Sequence, residues 1–176
     1  GALGVNTTAS NNTAIGAESL IANTTGADNT ACGSIALDAN TTGSTNDAFG
    51  RNALGKNTTG SNNVALGNNS LSNNLTADNN TAVGKSALTL NTTGASNTAV
   101  GANALDANTT ASSNTAIGHL AMTTNTTGDS CVALGQRALT ANTTASNNTA
   151  LGAVSLIGNT TGASNTAVGT AALQNN

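Results

Sequence analysis

The chain has 176 residues and a formal net charge of −3, with only 6% charged and 1% aromatic residues and no Pro, Trp or Tyr. Its four basic residues (Arg51, Lys56, Lys85, Arg137) are scattered, so the clustered cationic footprint that nucleic-acid binding needs is missing. No apolar run approaches the roughly 18 residues of a membrane-spanning helix, and no secretory leader pattern is present.

Residues 1–11 (G-A-L-G-V-N-T-T-A-S-N) open the chain at the seventh position of a 17-residue unit, as a segment cut from something longer would. Nine complete copies follow without an inserted or deleted residue from Asn12 to Ser164, and a partial copy occupies residues 165–176. The copy from Asn97 to Ser113, N-T-A-V-G-A-N-A-L-D-A-N-T-T-A-S-S, serves as reference. A period of this length points to a stacked array, because one unit cannot bury its own apolar face. The domain expectation is therefore a single uncapped repeat array over 1–176.

Numbering each unit from its first Asn lets every phase be read down the stack. Position one is Asn except at Cys131, position three is Ala from Ala14 to Ala167, and position five is Gly from Gly16 to Gly169. Position four is always apolar (Ile15, Cys32, Phe49, Leu66, Val83, Val100, Ile117, Leu134, Leu151, Val168). Position eight is Ala or Ser, nine is Leu or Met122, twelve is Asn, fourteen is Thr, and fifteen is Gly or Ala. Charges fall at six, seven, ten, eleven, sixteen and seventeen, which read as solvated corners; only Asp47, at position two, departs from this. A disordered chain has no reason to hold these phases.

Asn, Thr and Gly are poor helix formers, and the Gly-marked breaks leave no room for a useful helix. Two short β segments per unit fit better, one at N-T-A-V-G and one around N-T-T. The fold class predicted is all-β, a β-solenoid (β-helix or β-roll) of about ten 17-residue coils in a homo-oligomeric fibre. Like residues then stack at about 4.8 Å, giving Asn and Thr ladders. Gly at position five predicts a positive φ or close approach of another backbone. Two orientations remain open for the strand. Either the aliphatic of position four fills the coil, or Ala lines a thin coil and the aliphatic faces a partner chain; the second, slightly favoured, predicts an obligate oligomer. Six coils separate Cys32 from Cys131, roughly 29 Å at ~4.8 Å per coil, so no intrachain disulfide is expected.

The pattern N-T-A-V-G-x-x-A-L-x-x-N-T-T-G resembles the repeats of bacterial and phage tail-fibre-domain proteins. More distantly, N-T-A-I-G is similar to a repeat of trimeric autotransporter adhesin heads. The resemblance covers the whole chain, though this period and the lack of an apolar residue before Ala depart from the adhesin pattern. It implies a β-solenoid, trimeric, in an extracellular, cell-surface or virion-attached fibre.

Residues capable of chemistry are few. His119, the only histidine, shares its phase with Ser34, Arg51, Asn68, Lys85 and Gln136, so it reads as a solvated variant rather than a general base. Asp38 and Asp106 share a phase four coils apart. One His and two remote Cys cannot close a metal site, and the regular Asp of calcium-binding rolls is absent. No catalytic, metal or cofactor-binding residue is assigned, no cofactor is expected, and the protein reads as a non-enzyme. Each N-T-T, with the N-L-T variant at Asn74, is also a glycosylation sequon, although ladder geometry accounts for the same residues.

The function expected is a structural subunit or shaft segment of an extracellular tail-fibre- or adhesin-like fibre. Its partners are copies of itself, as a trimer or end to end, with a surface glycan or receptor as a further candidate. One alternative is a self-assembling filament joined through ends that show no polar cap. Another is an ice-binding Thr/Asn-rich solenoid, against which the adjacent Thr24 and Thr25 would point to opposite faces of a strand.

Overall fold

A computed structural model describes residues 1–174; Asn175 and Asn176, the latter the final Asn of position twelve, lie outside them. The chain is a β-solenoid with ten short strands: β1 (Thr13–Ile15), β2 (Thr30–Cys32), β3 (Asp47–Phe49), β4 (Val64–Leu66), β5 (Thr81–Val83), β6 (Thr98–Val100), β7 (Thr115–Ile117), β8 (Val132–Leu134), β9 (Thr149–Leu151) and β10 (Thr166–Val168). They form one parallel sheet in sequence order, and no helix occurs among the described residues. Ala14 pairs with Ala31 and Ile15 with Cys32, and the same step is kept to Ala150 and Ala167. Ten rungs are thus joined by nine turns of 17 residues.

Successive strand residues point to opposite sides, and burial shows which way. Ala31, Ala48, Ala65, Ala82, Ala99, Ala116, Ala133 and Ala150 are all 0% exposed. Their methyls pack with position eight and with the Leu of position nine in one narrow core running the length of the stack. Position four faces out: Phe49 is 40% and Leu66 48% exposed in the middle of the array. Ala therefore lines a thin coil, and the aliphatics stand on its outer wall. Asp47 is exposed for the same reason, which explains how a carboxylate sits within a strand.

Gly at position five meets both conditions expected of it. Gly84 has φ +132, and a Cβ there would lie 2.6 Å from the Gly101 carbonyl oxygen of the next coil. The unexpected feature is that positions seven, nine and seventeen also take positive φ without glycine, as at Ile35 (52°), Leu37 (50°) and Thr45 (58°). Each uses the flipped peptide to bond along the axis. Ile35 N–H donates to Ala17 O (2.9 Å), Leu37 N–H to Ala53 O (3.0 Å) and Thr45 N–H to Ala27 O (3.0 Å).

The second β segment expected around N-T-T does not form; among the described residues positions two to four carry the only strand of each coil. The reason is a shared acceptor. The Thr24 and Thr25 N–H groups both donate to Thr41 O, at 3.0 and 3.2 Å, and the Thr24 hydroxyl joins them at 2.9 Å. That convergence replaces the evenly spaced bonds of a parallel ladder.

Ala99 has buried Ala82 and Ala116 directly below and above it. Ala99→Leu should lower the melting temperature by roughly 2–12 °C through overpacking. Val100→Leu, on the outer wall where Leu66 and Leu134 already stand, should melt like the parent. Thermal unfolding followed by circular dichroism checks both, and an unchanged Ala99→Leu transition would refute the close-packed wall.

Candidate functional site

Each coil offers three repeated polar features: an inner pair of Asn ladders, two Thr rows, and the outer strand face. The ladders are enclosed. At position twelve, Asn40 Nδ2 donates to Asn23 Oδ1 and to the Gly43 carbonyl, both at 2.9 Å. Asn57, Asn74, Asn91 and Asn108 repeat the arrangement. At position one, Asn63 N–H donates to Asn46 Oδ1 (3.0 Å) and Asn63 Nδ2 to the Ala77 carbonyl (2.9 Å). That carbonyl also accepts Asn74 Nδ2 at 2.9 Å, so the position-fifteen carbonyl ties the two ladders together inside the coil.

This geometry bears directly on the sequons. Asn40, Asn57, Asn74, Asn91 and Asn108 are 0% exposed, and both hydrogens of each Nδ2 are engaged. A glycan cannot be attached to such an amide in the folded chain. Cys131, which replaces the Asn of position one, reproduces the pattern weakly. Its thiol donates to the Ala145 carbonyl at 3.3 Å, and Asn148 N–H reaches its sulfur at 3.5 Å. Burial pushes this thiol above its ordinary pKa. Both Cys32 and Cys131 are free.

The two Thr of N-T-T have different roles. Position thirteen closes the axial ladder, as Thr41 Oγ1 does on the Thr58 carbonyl at 3.0 Å. Position fourteen, from Thr25 to Thr161, is exposed, and its hydroxyls have no partner among the described residues. The strand Thr of position two (Thr30, Thr81, Thr98) also faces outward, beside the aliphatic row.

Titratable groups remain dispersed. His119 is exposed at its corner, and Asp38 and Asp106 are half-buried four coils apart. Asp106 accepts the Thr123 hydroxyl, while burial raises the Asp38 carboxyl above its usual range. Among the described residues there is no cluster of metal-ligating side chains and no cavity. A continuous candidate is the outer strand face itself, ten rungs on one parallel sheet bearing mostly Thr and aliphatic side chains, with Cys32, Asp47 and Phe49 among them. Comparison with protein-family models, curated proteins and solved structures gives no match.

Cys131→Asn should restore two full-strength hydrogen bonds to a buried ladder. A gain of about 0.5–1.5 kcal/mol is expected, read as a higher denaturant midpoint; a lower midpoint would mean the site has no room for the amide. Asp38→Asn should show a pH-dependent gain. A carboxyl whose folded-state pKa is raised is penalised once ionised, so the parent loses stability as pH rises through the carboxylate range. The variant's melting temperature should match the parent in acid and exceed it at neutral pH, and a pH-independent difference would remove the effect.

Proposed function

We propose that this chain is a structural shaft segment of an extracellular fibre, at a cell or virion surface, that assembles with copies of itself and carries no catalysis. The observation that carries the reading is the outer wall. Ten in-register rungs present an apolar side chain each, and Leu66 (48%), Leu134 (43%) and Phe49 (40%) remain in water in the isolated chain. A continuous apolar stripe of this kind marks a surface made for contact. The rod of ten rungs, roughly 48 Å at ~4.8 Å each, and the tail-fibre-like N-T-A-x-G…N-T-T-G unit support the same reading.

Sedimentation of the chain tests it. A discrete oligomer or a rod-like polymer is expected, whereas a monomer at all concentrations would leave the wall uncovered and sink the shaft.

A second reading, ice binding, is favoured by the unpartnered Thr hydroxyls of position fourteen, repeated once per coil along one edge. It calls for thermal hysteresis in a concentrated solution of the folded chain; freezing behaviour no different from that of an inert protein would remove it.

A further inference from the structure

The charges flanking the sheet are ordered in a way that single 17-residue units conceal, because the three-residue strand of each rung is preceded by positions sixteen and seventeen of one copy and followed by positions six and seven of the next. On the β3 rung, Asp47 lies on the N-terminal side and Arg51 on the C-terminal side. On the β5 rung the pair is Asp78 and Lys85, and on the β8 rung Asp129 and Arg137. All six are exposed. Three of the chain's four basic residues thus stand on rungs that bear an acid at the opposite edge. His119 adds an imidazole to the basic edge and Asp28 a carboxylate to the acidic edge. Glu18 is the one acid on the basic edge, and the opposite edge of its rung carries uncharged Ser10 and Asn11.

These charges do not satisfy one another within the chain. Asp78 and Asp129 each use one oxygen for a backbone N–H, of Ser61 (2.7 Å) and Ser112 (2.6 Å). Of the basic side chains only Lys56, away from this face, reaches a partner among the described residues, Asn73.

We propose that a second copy of this chain docks on the outer strand face, its axis parallel to the first and related by a two-fold along the solenoid axis. This rests on the self-assembling shaft reading and gives it a geometry. Such a two-fold keeps every rung level with its own copy and reverses strand direction across the interface. The acidic edge of each chain then lies over the basic edge of the other. Asp47, Asp78 and Asp129 meet Arg51, Lys85 and Arg137 of the partner, giving three rungs paired twice. The alternative face-to-face two-fold, along the strands, inverts the stack and sets acid against acid, a costly arrangement. A copy of the same chain is also the partner whose rungs match these over the full length of the stack. Ten rungs at ~4.8 Å by the three strand residues at ~3.3 Å give roughly 480 Å² per chain, and the charged corners on both sides widen the face towards the size of a standard interface. The position-four aliphatics lie at its centre and the ion pairs at its rims.

Two triple variants test the pairing: Arg51→Glu/Lys85→Glu/Arg137→Glu, and Asp47→Lys/Asp78→Lys/Asp129→Lys. The parent should sediment as a dimer. Each variant alone should dissociate at least about tenfold more readily, and an equimolar mixture should recover a one-to-one dimer. Circular dichroism melting of each variant reports that it is folded. The parent supplies a measurement free of mutation: its dimer should weaken between about 0.05 and 0.5 M salt as the exposed pairs are screened. A trimer, association of either variant alone at parental strength, or a salt-independent dimer overturns the two-fold while leaving the shaft reading standing. A parent that stays monomeric overturns both.

Discussion

The structure depends on hydrogen bonding along the solenoid axis at an unbroken 17-residue step. It extends well beyond the three-residue strands. Leu20 N–H donates to Ala36 O, Thr41 N–H to Thr58 O, and Asp47 N–H to Asn63 O, at 3.0, 2.9 and 2.9 Å. Turn, corner and strand are all stitched to the coil above or below. One inserted residue would move every later phase off its partner, exchanging inward Ala for outward aliphatic. Constancy of the period is therefore the condition for any coil to be stable beside its neighbours.

That stitching has conformational costs. Left-handed backbone at a residue other than glycine costs roughly 1–2 kcal/mol, and 31 such residues occur among the described residues. Ile35, Thr45 and Val154 are β-branched, the residues least suited to it. They are held because the positive φ turns N–H and C=O along the axis, where bonding groups wait on both sides. The polar interior follows the same rule. Buried amides would be costly if half satisfied, yet Asn63 and Asn74 Nδ2 both donate to the Ala77 carbonyl, and each also donates to the Asn of its own ladder one coil back, Asn46 and Asn57. The coil is consequently too thin for a large apolar core and has two amide ladders and a Leu row instead.

The repeat made the architecture legible in the sequence, because ten copies of Ala at one phase and Gly at another are readable without coordinates. Gly84 shows why: its φ and the nearby Gly101 carbonyl leave no alternative residue. Strand orientation was less accessible, since Thr-Ala-Val alternates equally well with either face inward. The left-handed Leu37 was invisible, because a buried Leu gives the same sequence signal in any backbone conformation. The N-T-T segment misled for a related reason. Thr favours strands, but here its hydroxyl serves the same carbonyl as two backbone amides. The charge order across the rungs was present in the sequence but split by a repeat boundary placed at the first Asn.

Fold and surface information are separated by phase in this chain. Positions one, three, five, eight, nine, twelve and fifteen build the coil, and their variants are ones the interior can satisfy. Ser70 in place of Ala, for instance, returns its hydroxyl to the Gly67 carbonyl at 2.9 Å. Positions six, seven, eleven, sixteen and seventeen vary freely at corners that water reaches, and position ten varies although it is half-buried or buried. Position four belongs to neither group. It points outward, where the coil makes no demand for an apolar residue, and yet it ranges from Cys32 through Val83 and Leu66 to Phe49 without once becoming polar. Its shape is free and its apolarity is not. That combination is the one that contact with another surface would require, and the proposed assembly of copies rests on it.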